Sequence, residues 1–329
     1  MAFYSYIFSA NYKRFFKKLN AIAKQEHKFM PFLAVDAGWC VFRHGLALSD
    51  YINYKIYRKP ASERRRYAGV RKQNSFYEIV SPSAYKERYT IKPRFLKEFA
   101  EYTKRDFVQP NAENFDEFAA FLQRHEVFMA KPFDSLCGVG VTKTYTKDIE
   151  DPKAYYEHCL QNRIHLEELV IQHPQMSALC PTCVNTMRIM TFNDHGNPRI
   201  IWMGLRVGSG SCEVDNFHAM GMGVAIDMES GQLKGEGRNK DNVLFSHHPM
   251  TGVKFDGFQI PYFQEAKELA LKAALESDKI LVVGWDMAIS ENGPVIIEGN
   301  RRPGFNLVQA IDDRGRVDIM EDVLKSLNQ

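Results

Sequence analysis

The sequence predicts an α+β protein in which a helical, basic N-terminal region precedes lobes built from antiparallel hairpins and helices. Three observations carry this. Apolar strand-like runs come in neighbouring pairs across turn signals: residues 185–192 and 199–207 flank Asp194-His-Gly-Asn197, and residues 280–289 and 294–300 flank Asn292-Gly293. Helical periodicity recurs over residues 11–24, 93–104, 262–277 and 316–327. Charge is unevenly placed, because residues 1–75 hold 15 Lys/Arg against 4 Asp/Glu while the rest of the chain holds 28 against 36.

At 329 residues, 45% hydrophobic and 25% charged, the chain has the make-up of a globular protein, which excludes disordered and fibrous classes. No run of 18 apolar residues supports a spanning helix. The opening MAFYSYIFSA is apolar ahead of the basic cluster with no cleavage site after it, so a cytoplasmic location is expected. Six cysteines do not make a disulfide framework in a chain of this size, and the single Cys180-Pro-Thr-Cys183 lacks the second ligand pair of a zinc site. No helix-turn-helix, zinc-finger or RNP pattern is present, and nucleic acid is not an expected partner.

The basic N-terminal quarter implies an anionic neighbour, a membrane face or a phosphorylated carrier. Residues 11–24 place Phe15, Leu19 and Ile22 on one stripe with Lys13, Lys17, Lys18 and Lys24 around it. Such a helix either touches the inner membrane face peripherally or packs on its own body. The expected division is a helical region 1–75, a first segment 76–125, a small lid 126–175 and a C-terminal lobe 176–329.

In the first segment, Lys92-Pro93 opens a helix carrying Phe95, Phe99 and Tyr102, and a short strand (106–108) and a helix (115–122) follow. In the lid, a buried-type strand, 127–132, ends in Lys131 beside a loop with Gly138 and Gly140. A strand-end lysine next to such a loop can surround phosphates with a cation and backbone N–H groups, although GKS/T is missing; the alternative is a plain hairpin turn. After a helix at 150–161, residues 165–173 read as a strand taking Glu167 and Glu168 into Leu169-Val170-Ile171. That apolar strip can sandwich a purine while a carboxylate reads its edge, or it is an ordinary core strand.

In the C-terminal lobe, Arg188 and Arg206 lie on paired strands among apolar residues. Their planar forks match phosphate or carboxylate, unless a distant Asp or Glu claims them. The stretch from Gly284 to Phe305 is the most informative. Glu298 and Asn300, two apart, share a strand face. An odd hairpin loop such as Glu291–Gly293, with Gly293 left-handed, sets Asp286 opposite Glu298, whereas a two-residue turn separates their faces. Two carboxylates and an amide at the end of an apolar ladder are costly to bury without a cation, and hard oxygen donors suit Mg²⁺. A solvated hairpin end is the alternative.

The order Lys92, Lys131 with its glycine loop, apolar strip with Glu168, paired-strand arginines and Asp286…Glu298-x-Asn300 resembles the ATP-grasp superfamily over residues 92–305. Asp36-Ala-Gly-Trp-Cys40, His44-Gly45, Asp50-Tyr51, Glu63-Arg-Arg-Arg-Tyr67, Asn185-Thr-Met-Arg188 and Asp215-Asn-Phe-His218 resemble its sugar-transfer-associated branch, often encoded beside glycosyltransferases. The resemblance implies an ATP-grasp fold of two α+β lobes clasping ATP. It implies Lys92 and Lys131 on the α- and β-phosphates, Gly138 and Gly140 in a mobile lid, and Glu168 with the Val170 and Ile171 backbone on adenine. Gln175 stands where relatives place a ribose-binding carboxylate. Asp286, Glu298 and Asn300 would hold two Mg²⁺, Arg188 and Arg206 would face the γ-phosphate and acyl phosphate, and Arg301 and Arg302 the acid substrate. The implied activity is an ADP-forming carboxylate-amine ligase working through an acyl phosphate on a sugar acid or carrier-linked saccharide in polysaccharide biosynthesis. A phosphotransferase acting on a hydroxyl and a non-catalytic nucleotide-binding partner of a glycosyltransferase are the alternatives.

Overall fold

Apolar residues four apart start the described chain. The computed structural model describes residues 11–133, 139–210 and 221–328. Helix α1 (Tyr12–Gln25), capped by the Asn11 side chain on the Arg14 N–H at 2.9 Å, buries Phe15, Leu19 and Ala23. These meet Leu33, Ala37 and Cys40 of α2 (Met30–His44), which ends on left-handed Gly45. Short helices α3 (Leu48–Asn53) and α4 (Ala61–Arg64) close this layer, and α5 (Val70–Val80) leads out of it. The expected helix over 93–104 begins with Pro93 in its first turn but breaks at Phe99, giving α7 (Lys92–Glu98) and α8 (Ala100–Thr103) after α6 (Glu87–Thr90).

A small antiparallel sheet of order β1-β4-β2-β3 combines β1 (Phe107–Val108), β2 (Val127–Pro132), β3 (Thr142–Tyr145) and β4 (Ile164–Glu168). Helices α9 (Phe115–Arg124) and α10 (Pro152–Gln161) cover it, packing Phe118, Phe121 and Tyr156 on Val108, Phe128 and Leu166. Its core therefore starts ahead of residue 126. The strand expected over 165–173 stops at Glu168, and Pro174 opens α11 (Pro174–Leu179).

The large antiparallel sheet has the order β11-β10-β5-β6-β7-β8-β9. Its strands are β5 (Thr186–Asp194), β6 (Asn197–Val207), β7 (Met222–Ile226), β8 (Leu233–Asn239), β9 (Leu244–Phe245), β10 (Val282–Ser290) and β11 (Gly293–Asn300). One face buries Met187, Ile189, Leu205 and Trp285 against α12 (Phe263–Leu275), whose alanines allow close approach, and against Phe95 and Phe99. The other buries Met190, Phe192 and Trp202 under α5, α13 (Phe305–Ile311) and α14 (Val317–Ser326). Among the described residues no helix is long and apolar enough to cross a membrane, and Cys40, Cys159, Cys180 and Cys183 are free thiols.

Candidate active site

The β10–β11 hairpin corrects the expected turn while giving the expected pairing. Ser290 pairs with Gly293 across a two-residue loop, Glu291-Asn292, which by parity alone would put Asp286 and Glu298 on opposite faces. A β-bulge reverses this: Met287 pairs with Ile296 but Asp286 with Glu298, so Ile297 is the extra residue. An odd loop is not needed, because the inserted residue supplies the odd step. Asp286, Glu298 and Asn300 thus share a face.

Register also brings the two arginines there. Arg188 on β5 lies opposite Asp286, and Arg206 on β6 lies opposite Thr186. Both arginines claim Asp286: Arg188 Nε bonds Oδ1 and its Nη2 bonds Oδ2 at 2.9 Å, while Arg206 Nη2 is 3.0 Å from Oδ2. Of the partners considered for these arginines, the distant acid is the one present, and Arg206 also donates to Thr186 Oγ1 at 3.0 and 2.7 Å. Burial would raise the Asp286 pKa, but the charges of Arg188 and Arg206 and bonds from Arg188 and Glu298 hold it at about 2. Glu298 moves the other way, raised by burial and by the Asp286 charge. Asn300 Nδ2 donates to Asp286 Oδ2 at 3.3 Å and to Glu298 Oε1 at 3.2 Å.

This donor set fits a divalent cation. Two carboxylates stand together, burial and the Asp286 charge raise the Glu298 pKa, and turning the Asn300 amide presents its oxygen to the same point. No group of three or more His, Cys, Asp or Glu able to hold a metal occurs among the described residues, so the set needs the amide.

A second cluster forms on the small sheet. Lys131 pairs with His165 across β2 and β4, and its Nζ lies 2.7 Å from Glu167 Oε2. His165 Nε2 is 2.8 Å from Glu167 Oε1, and Arg105 Nη2 is 3.4 Å from Oε2. Burial opposes ionisation of Glu167, yet Lys131, Arg105 and His165 together keep its pKa well below the usual range. Burial lowers the His165 pKa, and Lys131 and Lys92 push it lower still, so Lys92 stands within electrostatic reach of the cluster. The Lys92 N–H donates to the Phe133 carbonyl at 3.0 Å, which ties α7 to the end of β2.

Glu167 therefore meets Lys131 and Arg105, whereas Glu168 accepts from the Asp106 N–H at 2.9 Å and closes the edge beside β1. The register that sets Lys131 opposite His165, with Glu167 two along, decides this. Arg105 had no sequence signal. It donates to the Ile297 carbonyl at 3.1 Å and so joins this cluster to the bulge beside Glu298. Val170 and Ile171 follow β4 outside any strand, Ile171 being 65% exposed. Gln175 Nε2 donates to the Gln259 carbonyl at 2.8 Å. Gly140 is left-handed at φ +73°, whereas Gly138 and residues 215–218 lie outside the described residues.

The model of the sugar-transfer associated ATP-grasp family matches residues 154–325, more than half of the 329. The chain belongs to this family. The ATP-grasp match spans both arginine strands and the hairpin of Asp286, Glu298 and Asn300, while Lys92, Arg105 and Lys131 precede it. No curated protein matches the chain. Among solved structures, the ATP-grasp ligase PsnB complexed with its minimal precursor is similar at 15% identity and TM-score 0.45, over 75% of this chain and 64% of that ligase, so the chain spans less than two thirds of its length. The D-alanine-D-alanine ligase of Helicobacter pylori is similar at 14% identity and TM-score 0.45, over 78% and 68%. The D-cycloserine synthetase DcsG is similar at 12% and 0.44, over 84% and 82%.

Two further basic residues of this ATP-grasp chain follow the hairpin. Arg301 Nη1 donates to the Ser81 carbonyl and Oγ at 3.2 and 3.3 Å, and burial beside Arg302 lowers its pKa. Arg302 Nε is buried with no hydrogen-bond partner among the described residues. A buried donor left open is costly unless an anion completes it.

Proposed function

We propose that the chain is an ATP-dependent carboxylate-amine ligase acting on a sugar acid or carrier-linked saccharide in polysaccharide biosynthesis, beside glycosyltransferases. The observation that supports this reading most is the joining of two charged clusters through Arg105, the lysine cluster of the small sheet and the Asp286–Glu298–Asn300 hairpin. Lys92 and Lys131 hold the α- and β-phosphates of ATP in this reading, and the Glu168 edge with the 170–171 backbone lies toward adenine. Gln175 approaches the ribose, and Gly140 covers the phosphates. Asp286, Glu298 and Asn300 would hold two Mg²⁺ ions, which would supply charge neutralisation on the transferred phosphoryl group.

A substrate carboxylate oxygen bonds the γ-phosphorus as the β–γ bridging bond breaks, releasing ADP and leaving an acyl phosphate. An amine then bonds the acyl carbon, phosphate leaves, and the amine proton passes to solvent. Arg188 and Arg206 release Asp286 in part and turn their forks toward the γ-phosphate and acyl phosphate. Arg302, with its open Nε, and Arg301 orient the acid. The contribution is positioning and charge compensation without a protein nucleophile.

The test is ADP release over a matrix of sugar acids and amines. Release that requires both an acid and an amine is the expected result. Release with an alcohol acceptor and no amine would redirect the reading to a phosphotransferase, and no turnover with any acceptor despite ATP binding would favour a nucleotide-binding partner of a glycosyltransferase.

A further inference from the structure

Helix α2 is apolar on both sides, but the described residues cover only one side. Leu33, Ala37 and Cys40 are buried in the N-terminal core, whereas Phe29, Phe32, Val35, Trp39 and Phe42 are 57 to 74% exposed. Spaced by three or four residues, these five form one stripe about 20 Å long. The only other exposed residues between 29 and 42 are Pro31 and Gly38, so the outer surface carries no charge over this length. Asp36, the one charged residue there, is turned inward to Tyr51 Oη at 2.7 Å and Arg64 Nη1 at 2.6 Å. Monomeric proteins rarely leave so continuous an apolar strip in water.

The surroundings indicate what covers it. Between residues 11 and 44 the only acids are Glu26 and Asp36, and each is ion-paired, to Arg58 and Arg64. Lys13, Arg14, Lys17 and Lys24 of the adjoining α1 are exposed, and so is Arg43 at the end of the stripe. A second copy would bring the same cations against themselves, whereas an anionic surface complements them. At 15 residues, about 22 Å, α2 is too short to span a bilayer and suits an in-plane position.

We propose that α2 docks this chain on an anionic lipid bilayer, its Phe29–Phe32–Val35–Trp39–Phe42 stripe sunk at the headgroup level and the α1 lysines on lipid phosphates. The reading differs from a basic α1 acting alone, because α1 buries its own Phe15 and Leu19 in the protein core. Aromatic side chains at the headgroup depth supply the apolar contact, and the cations supply the lipid selectivity.

Trp39 makes the proposal directly testable, because the other two tryptophans, Trp202 and Trp285, are buried. The full chain is mixed with vesicles of phosphatidylglycerol and phosphatidylcholine, and with phosphatidylcholine alone. Expected are co-sedimentation with the anionic vesicles that weakens as salt is raised, a blue shift of Trp39 emission, and its quenching by brominated lipid, both absent in Trp39→Phe. Phe32→Asp with Phe42→Asp should lower the partition at least about tenfold at unchanged thermal midpoint. Partition unaffected by that pair overturns the proposal. So does a dimer in sedimentation equilibrium without vesicle binding, which would make a second copy the occupant. Trp39 shielded from acrylamide in the lipid-free chain, and exposed on removing residues 1–10, would make that segment the occupant.

Discussion

Arg105 Nη2 donates to the main-chain carbonyl of Ile297 at 3.1 Å across 192 positions of sequence, while the same guanidinium stands 3.4 Å from Glu167. One buried side chain therefore ties the lysine cluster of the small sheet to the bulge that aligns Asp286 with Glu298. Glu167 keeps Lys131 and His165 when Arg105 is removed, so Arg105→Ala should cost about 1–3 kcal/mol in urea unfolding, the loss of a charged hydrogen bond to Ile297 and of one ion-pair partner. Arg105→Ala with Glu167→Gln should cost more than Arg105→Ala alone, since Lys131 then loses the carboxylate 2.7 Å away.

Asp286 sets an acid limb. Its folded pKa of about 2 lies below the ordinary 3.8, so the unfolded chain binds the proton more tightly. The resulting stability, about 2.5 kcal/mol at most, is present above pH 4 and lost as pH falls from about 4 toward 2. Glu167, also depressed, adds to the limb with the same sign. Chemical denaturation at stepped pH should show this decline, and Asp286→Asn should flatten it while lowering stability at neutral pH by leaving Arg188 and Arg206 without their carboxylate.

Glu298→Gln separates structure from chemistry. Because Glu298 is raised by burial and by the Asp286 charge, replacing it with a neutral isostere relieves a like-charge contact. The thermal midpoint without ligand should stay level or rise, while the extra shift produced by Mg²⁺ with ATP, and turnover, should be lost. Full activity in this variant would exclude the metal assignment.

Asp50 is buried at the start of α3, where its Oδ2 accepts from the Ala47 N–H at 2.9 Å. Burial pushes its pKa up to about 6 against that single bond. A raised carboxyl favours the folded state when protonated, and that contribution disappears as pH climbs from about 4 through 6, which costs about 3 kcal/mol at pH 7. Asp50→Asn keeps an oxygen for the Ala47 N–H without the charge. Its thermal midpoint should exceed the parent at pH 7 and match it near pH 4.

Gly299 faces away from the acidic pair into an aromatic cluster. A Cβ there would lie 2.8 Å from Phe95 Cε2 and 3.0 Å from Trp285 Cζ3 and Tyr89 Cδ1. Gly299→Ala should therefore cost about 1–3 kcal/mol, because rings packed on three sides have little room to give. By shifting β11 it should also weaken ATP-dependent thermal stabilisation more than an Ala substitution at exposed Asn292.

Whatever rests on local periodicity was legible from the residues alone. Alternation put Glu298 and Asn300 on one strand face, Asn292-Gly293 marked the hairpin, and Lys131 at the end of a buried strand marked the lysine cluster, since side-chain direction in a strand follows residue parity. Tertiary structure alone decided the partners. Whether Asp286 faces Glu298 depended on a bulge at Ile297, which no local turn signal encodes. That Arg188 and Arg206 meet Asp286, and that Glu167 and not its neighbour Glu168 meets Lys131 and Arg105, followed from strand order and register across two sheets. A buried charge takes whichever opposite charge the fold brings within reach, and that distance is set by residues far away in sequence.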